Sequence, residues 1–102
     1  MKPRLTRAQI LDVLRGQRQQ LRHFSVEAIA LFGSYAKDVH TDSSDLDFVV
    51  EFSVPTYDNF AGLEQYLEKL FDRKVDILTP AGVESIRVPA VADDIRRTLV
   101  HV

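Results

Sequence analysis

Gly33 to Asp47 reads GSYAKDVHTDSSDLD, with a Gly-Ser pair at one end and an Asp-x-Asp at the other. Directly before it lies an apolar run, Ala28, Ile29, Ala30, Leu31 and Phe32, and directly after it another, Phe48, Val49 and Val50. Apolar runs this short, one stopped by glycine, read as buried strands rather than helices. The stretch is therefore a strand-to-strand connection. Ser34 to Lys37 is long enough for one or two helical turns, and Asp38 to Ser44 is polar and turn-rich.

Working outward, Asp45 to Phe52 alternates with period two. Leu46, Phe48, Val50 and Phe52 fall on one face, and Asp45, Asp47, Val49 and Glu51 on the other. Pro55 interrupts the chain. Phe60, Leu63, Leu67, Leu70 and Phe71 then recur at helical spacing, predicting an amphipathic helix over about Tyr57 to Phe71, with Arg73 and Lys74 at its negative end. Val75 to Leu78 is a third strand, ended by Thr79-Pro80, with Asp76 inside its apolar run. Upstream, Thr6-Arg7-Ala8-Gln9 fits a capping box and opens a helix over about Leu5 to Arg22, its stripe formed by Ile10, Leu11, Leu14 and Leu21. The arginines on its other face, Arg7 among them, read as solvated surface or as a basic strip for a partner. Pro89 to about Val100 closes the chain as a helix, with Asp93-Asp94 early in it and Val91, Ile95 and Leu99 along its apolar edge. The order is α-β-α-β-α-β-α, an α/β fold around a small mixed sheet of three or slightly more strands, in one domain over 1–102.

Composition removes several functions. The chain has 102 residues, a net charge of −2 and no cysteine. General nucleic-acid binding would require a concentrated basic surface. Disulfides and thiolate metal sites are excluded, and His23, His40 and His101 lack the spacing of a zinc helix. The N-terminal MKPRLTRAQ carries charge without an apolar segment behind it, and no apolar run approaches the ~20 residues of a membrane span. The expectation is a cytoplasmic protein that does not engage a membrane.

Topology brings the remaining charges together. The first two strands pair antiparallel if adjacent, which sets Gly33-Ser34 beside Asp45. A helical crossover makes the second and third strands parallel, which sets Asp76 beside Asp45 and Asp47. Three carboxylates within a few ångströms repel one another and call for a cation. Oxygen ligands with room for phosphate and water suit Mg²⁺ or Mn²⁺. Glycine permits close approach of backbone to a phosphate, and amides at a helix start point at the anion. Ser34 adds a hydroxyl donor, and Lys37, one turn on, reaches a phosphate or serves as a surface charge. Tyr35 either stacks on a base or packs in the core.

These residues carry a resemblance. G-S, about ten residues, D-x-D before an apolar strand, and a later single Asp on another strand are similar to the nucleotidyltransferase superfamily that includes DNA polymerase beta, and in length to its minimal stand-alone members. The resemblance implies that Gly33, Ser34 and Lys37 hold nucleotide phosphates and that Asp45, Asp47 and Asp76 are the catalytic metal ligands, for two Mg²⁺ ions. Asp76 would also help deprotonate the attacking hydroxyl. Lys37 stands where arginine is usual and Asp38 where glycine is usual. Members of this size pair with helical HEPN-type toxins as the antitoxin, transferring AMP from ATP to a toxin tyrosine. An alternative keeps the fold and neutralises its partner by contact alone. Homo-oligomerisation is left open.

Overall fold

The computed structural model describes residues 5–37, 39, 41, 44–87 and 89–102. Its elements run α1 (Arg7–Gly16), α2 (Arg18–His23), β1 (Val26–Phe32), α3 (Gly33–Ala36), β2 (Leu46–Phe52), α4 (Tyr57–Phe71), β3 (Val75–Leu78), α5 (Pro80–Glu84), α6 (Pro89–Thr98) and β4 (Val100–His101). The strands form one sheet in the order β3-β2-β1-β4. β1 is antiparallel to β2 and β3 is parallel to β2, as the short connection and the helical crossover require.

The capping box at Thr6 forms in both directions: Gln9 N–H donates to Thr6 Oγ1 at 3.2 Å, and Thr6 N–H donates to Gln9 Oε1 at 3.0 Å. The single helix expected over Leu5 to Arg22 is instead two. It stops at Gly16, and Gln17 leaves the helical region at φ −111°, ψ 23°. Tyr66, from α4, donates its hydroxyl proton to Gln17 Oε1 at 2.6 Å and so fixes the break from another element. Past the break, Leu21 enters the core beside Ile10 and Leu14, while Leu11 is only half-buried.

Two apolar layers flank the sheet. The larger joins those three residues to Leu63, Leu67 and Phe71 of α4 and to Leu31, Phe48, Val50 and Ile77 of the strands. Each large side chain buried there contributes roughly 1.5–3 kcal/mol. Gly62 lets Phe24 lie flat on α4, since a Cβ at that position would stand 2.9 Å from the ring. The second layer is smaller: Phe32, with Val49 and Leu78 packed on it, meets Val83 of α5 and Ala92 and Ile95 of α6. By strand alternation this second face is also the one that carries Asp47 and Asp76.

The C-terminal part departs from expectation in three ways. α5 is an additional short helix, started by Thr79, whose hydroxyl accepts from Gly82 N–H at 3.1 Å, with Pro80 at its first turn. In α6, Ala92 rather than Val91 faces the sheet, and Val91 is 48% exposed. The helix ends at Thr98, and Val100–His101 pair with Ala30 and Leu31 as a fourth strand. Val102 N–H adds a bond to Ile29 O at 3.2 Å, and both terminal valines pack on the larger core. Satisfied backbone groups at an open sheet edge outweigh one more helical turn. Among the described residues no helix is long and apolar enough to cross a membrane.

Candidate active site

The site lies where β1 ends and β2 and β3 begin. In the ladder Phe32 stands opposite Asp47, and Asp47 stands beside Asp76. Gly33 follows at φ +76°, a backbone region that suits glycine and strains other residues. A Cβ there would run into the Asp47 carboxylate, so another residue would both strain the backbone and turn that carboxylate aside. The residue against the glycine turn is thus Asp47, one pleat further along than the Asp45 expected from sequence. Asp45 sits just ahead of the paired segment, next to Ser44, whose Oγ accepts from Thr41 N–H at 2.9 Å.

Asp47 bears the electrostatic consequence. Burial first, then the charges of Asp76 and Asp45, push its pKa from 3.8 up to about 6. Asp47 therefore senses both other carboxylates, but the three do not close into a cage. Among the described residues no group of three His, Cys, Asp or Glu side chains is gathered tightly enough to hold a metal ion. Asp45 lies outside the ladder, and Asp76 is exposed at its strand edge. The donor set is nonetheless all carboxylate oxygen, which fits a hard divalent cation whose remaining positions are filled by water and phosphate.

The Gly-Ser turn runs directly into α3, whose N-terminus receives no side-chain cap. Instead the helix is gripped from other elements. Arg7 of α1 donates to Ala36 O at 2.8 Å. Arg73, just past α4, donates from Nε to the Tyr35 hydroxyl at 3.1 Å and from its guanidinium to Phe71 O at 2.9 Å. Lys37 Nζ lies 2.8 Å from Asp94 Oδ2 of α6.

These contacts correct several readings. Tyr35 is 1% exposed, so its ring packs in the core and is not available to stack on a base. Arg7 is exposed, as a solvated face implies, and it also ties α1 to the end of α3 through its bond to Ala36 O. Asp93 and Asp94 lie beyond the first turn of α6. Arg7, Arg73 and Asp94 were missed because each acts across 29 or more residues of sequence, and no local spacing signals such a bond. Asp38, the expected departure from glycine, lies outside the described residues.

Comparison with known proteins gives the family and the fold. The family described as nucleotidyltransferase domain matches residues 14–100. A candidate protein adenylyltransferase of Methanocaldococcus jannaschii is 38% identical over 101 residues, covering 95% of this chain and 98% of its own. Among solved structures, a candidate minimal nucleotidyltransferase superimposes with a TM-score of 0.64 at 26% identity, covering 88% of this chain and 93% of that one. A mutant of the toxin–antitoxin complex MntA-HpeT superimposes with a TM-score of 0.56 at 26% identity, covering 97% and 72%.

Proposed function

The chain belongs to the nucleotidyltransferase domain family, and from that premise we propose that it transfers AMP from ATP to a hydroxyl group, a tyrosine of a HEPN-type toxin partner. It then acts as the antitoxin of a toxin–antitoxin pair. The observation that carries the reading is the Gly33–Asp47–Asp76 juxtaposition, a glycine turn directly against a carboxylate held uneasily among like charges. The adenylyl group and the partner are supported by similarity to a protein adenylyltransferase and to an MntA-HpeT complex.

In this reading Asp45, Asp47 and Asp76 hold Mg²⁺, two ions in the full complement. Bound Mg²⁺ neutralises phosphate charge and offsets the mutual repulsion of the carboxylates. Gly33 and Ser34 present backbone amides and a hydroxyl to the phosphates, and Lys37 adds a positive charge. The acceptor oxygen attacks the α-phosphorus in line. The new O–P bond forms as the bond to the bridging oxygen of the β-phosphate breaks, and pyrophosphate leaves with the electron pair. The acceptor's proton passes to the Asp76 carboxylate. Little covalent work is asked of the protein, so positioning and electrostatics supply most of the acceleration.

The test is transfer of label from α-labelled ATP, with Mg²⁺, to the protein encoded beside this one. Wild type should label it and Asp47→Asn should not. Labelling by the variant at the wild-type rate sinks the assignment. Neutralisation of the partner that survives replacement of both Asp45 and Asp47 identifies a contact-only antitoxin instead.

A further inference from the structure

Lys37 caps the C-terminal end of α3, and its N–H donates to Gly33 O at 3.1 Å. Its backbone is thus fixed to the turn that faces the carboxylates. Its ammonium is held elsewhere, on Asp94 Oδ2 of α6 at 2.8 Å, a bond across 57 residues. Both side chains remain between about two-fifths and half exposed, at 41% and 49%. An exposed pair of this kind is weak and exchangeable.

Asp94 also feels the charge of a second cation. Arg97, one turn further along α6, acts on its charge, whereas Arg96 is engaged with Asp93 at 3.3 Å. If Lys37 turns away, Asp94 keeps a counter-charge. Lys37 has no such division of labour, because an ammonium is a compact point charge, without the planar fork that lets arginine serve two anions at once.

We propose that Asp94 competes with nucleotide phosphate for Lys37, so that α6 sets the affinity of the phosphate site from outside it. This rests on the reading of Gly33, Ser34 and Lys37 as the phosphate contacts. Entry of a triphosphate exchanges a carboxylate partner of Lys37 for phosphate oxygen and hands Asp94 to Arg97. The competition and the plain repulsion between Asp94 and a polyanion act in the same direction, and a double substitution separates them.

Binding of the non-hydrolysable analogue AMP-PNP with Mg²⁺, measured by calorimetry, tests the proposal. Asp94→Asn should bind about two- to five-fold more tightly than wild type, the span set by release of one exposed ion pair. Asp94→Ser should shift in the same direction. Lys37→Ala should bind more weakly, and adding Asp94→Asn to it should leave affinity nearly where Lys37→Ala set it. The proposal is overturned if Asp94→Asn binds the analogue no more tightly than wild type, or if it tightens binding equally with and without Lys37. Absence of binding by folded wild-type protein would instead refute the nucleotide reading, and this inference with it.

Discussion

Asp47 and Asp94 are the same side chain on two adjoining parts of the molecule, and they are held in opposite ways. On the β2–β3 row Asp47 is half-buried among like charges, which raises its pKa to about 6. Across α3 and α6 Asp94 is exposed and paired, and its hydrogen bond to Lys37, followed by the charges of Lys37 and Arg97, lowers its pKa. One region holds charge at a cost to the fold, and the other relieves it. The difference separates a row of like charges, whose repulsion an incoming cation would relieve, from a pair that is already electrostatically satisfied.

Removing the costly charge should have the largest effect on chemistry. Asp47→Asn is expected to lower AMP transfer at least about a thousand-fold, roughly 4 kcal/mol of transition-state stabilisation. In rapid-quench assays, a loss of less than ten-fold would mean that the row is not the reacting centre.

Gly33→Ala comes next. Its methyl group runs into the Asp47 carboxylate and the position requires positive φ, so a loss of about 2 kcal/mol in chemical denaturation is expected, together with weakened nucleotide binding. Arg7→Ala should destabilise by about 1–2 kcal/mol, since it leaves the part-buried Ala36 carbonyl without its charged donor. Unchanged stability in that variant would mean that the Arg7 bond does not help to hold α3.

The pH dependence sharpens the contrast. Between pH 3.8 and about 6 the folded protein binds more protons at Asp47 than the unfolded chain does. This group therefore withdraws stability as pH rises through that window, and the full cost is present above it. Metal-free Asp47→Asn should accordingly melt a few degrees above wild type at pH 7, about 1 kcal/mol after allowance for solvent screening, and the gain should vanish below about pH 4. Added Mg²⁺ should raise the wild-type melting temperature and leave the variant's almost unmoved. Asp94 has the opposite sign: its contribution is present above the unfolded carboxylate pKa and is lost as pH falls through the lowered folded value. Asp94→Asn should move the melting temperature by less than about 2 °C at pH 7, the smallest effect of the set.

Much of this was legible in the chain. The alternation of Leu46 to Phe52, the bounds of α4 and β3, and the pairing directions of β1, β2 and β3 all followed from period and connection length. So did the proximity of Asp47 and Asp76, because a parallel register after a helical crossover leaves few alternatives. The break at Gln17, the strand at Val100–His101 and the inward turn of Ala92 were not legible. Each is decided by a partner from another element: the Tyr66 hydroxyl, the open edge of β1, and Phe32 with its neighbours on the second face.

The sequence by itself determined the three strands β1 to β3, the glycine turn and the neighbouring Asp47 and Asp76, because strand periodicity and glycine's conformational freedom act locally. Tertiary structure alone decided what supports that turn. Arg7, Arg73 and Asp94 reach α3 from three distant elements, and hydrogen bonds that close over long stretches of chain leave no spacing in the sequence to mark them.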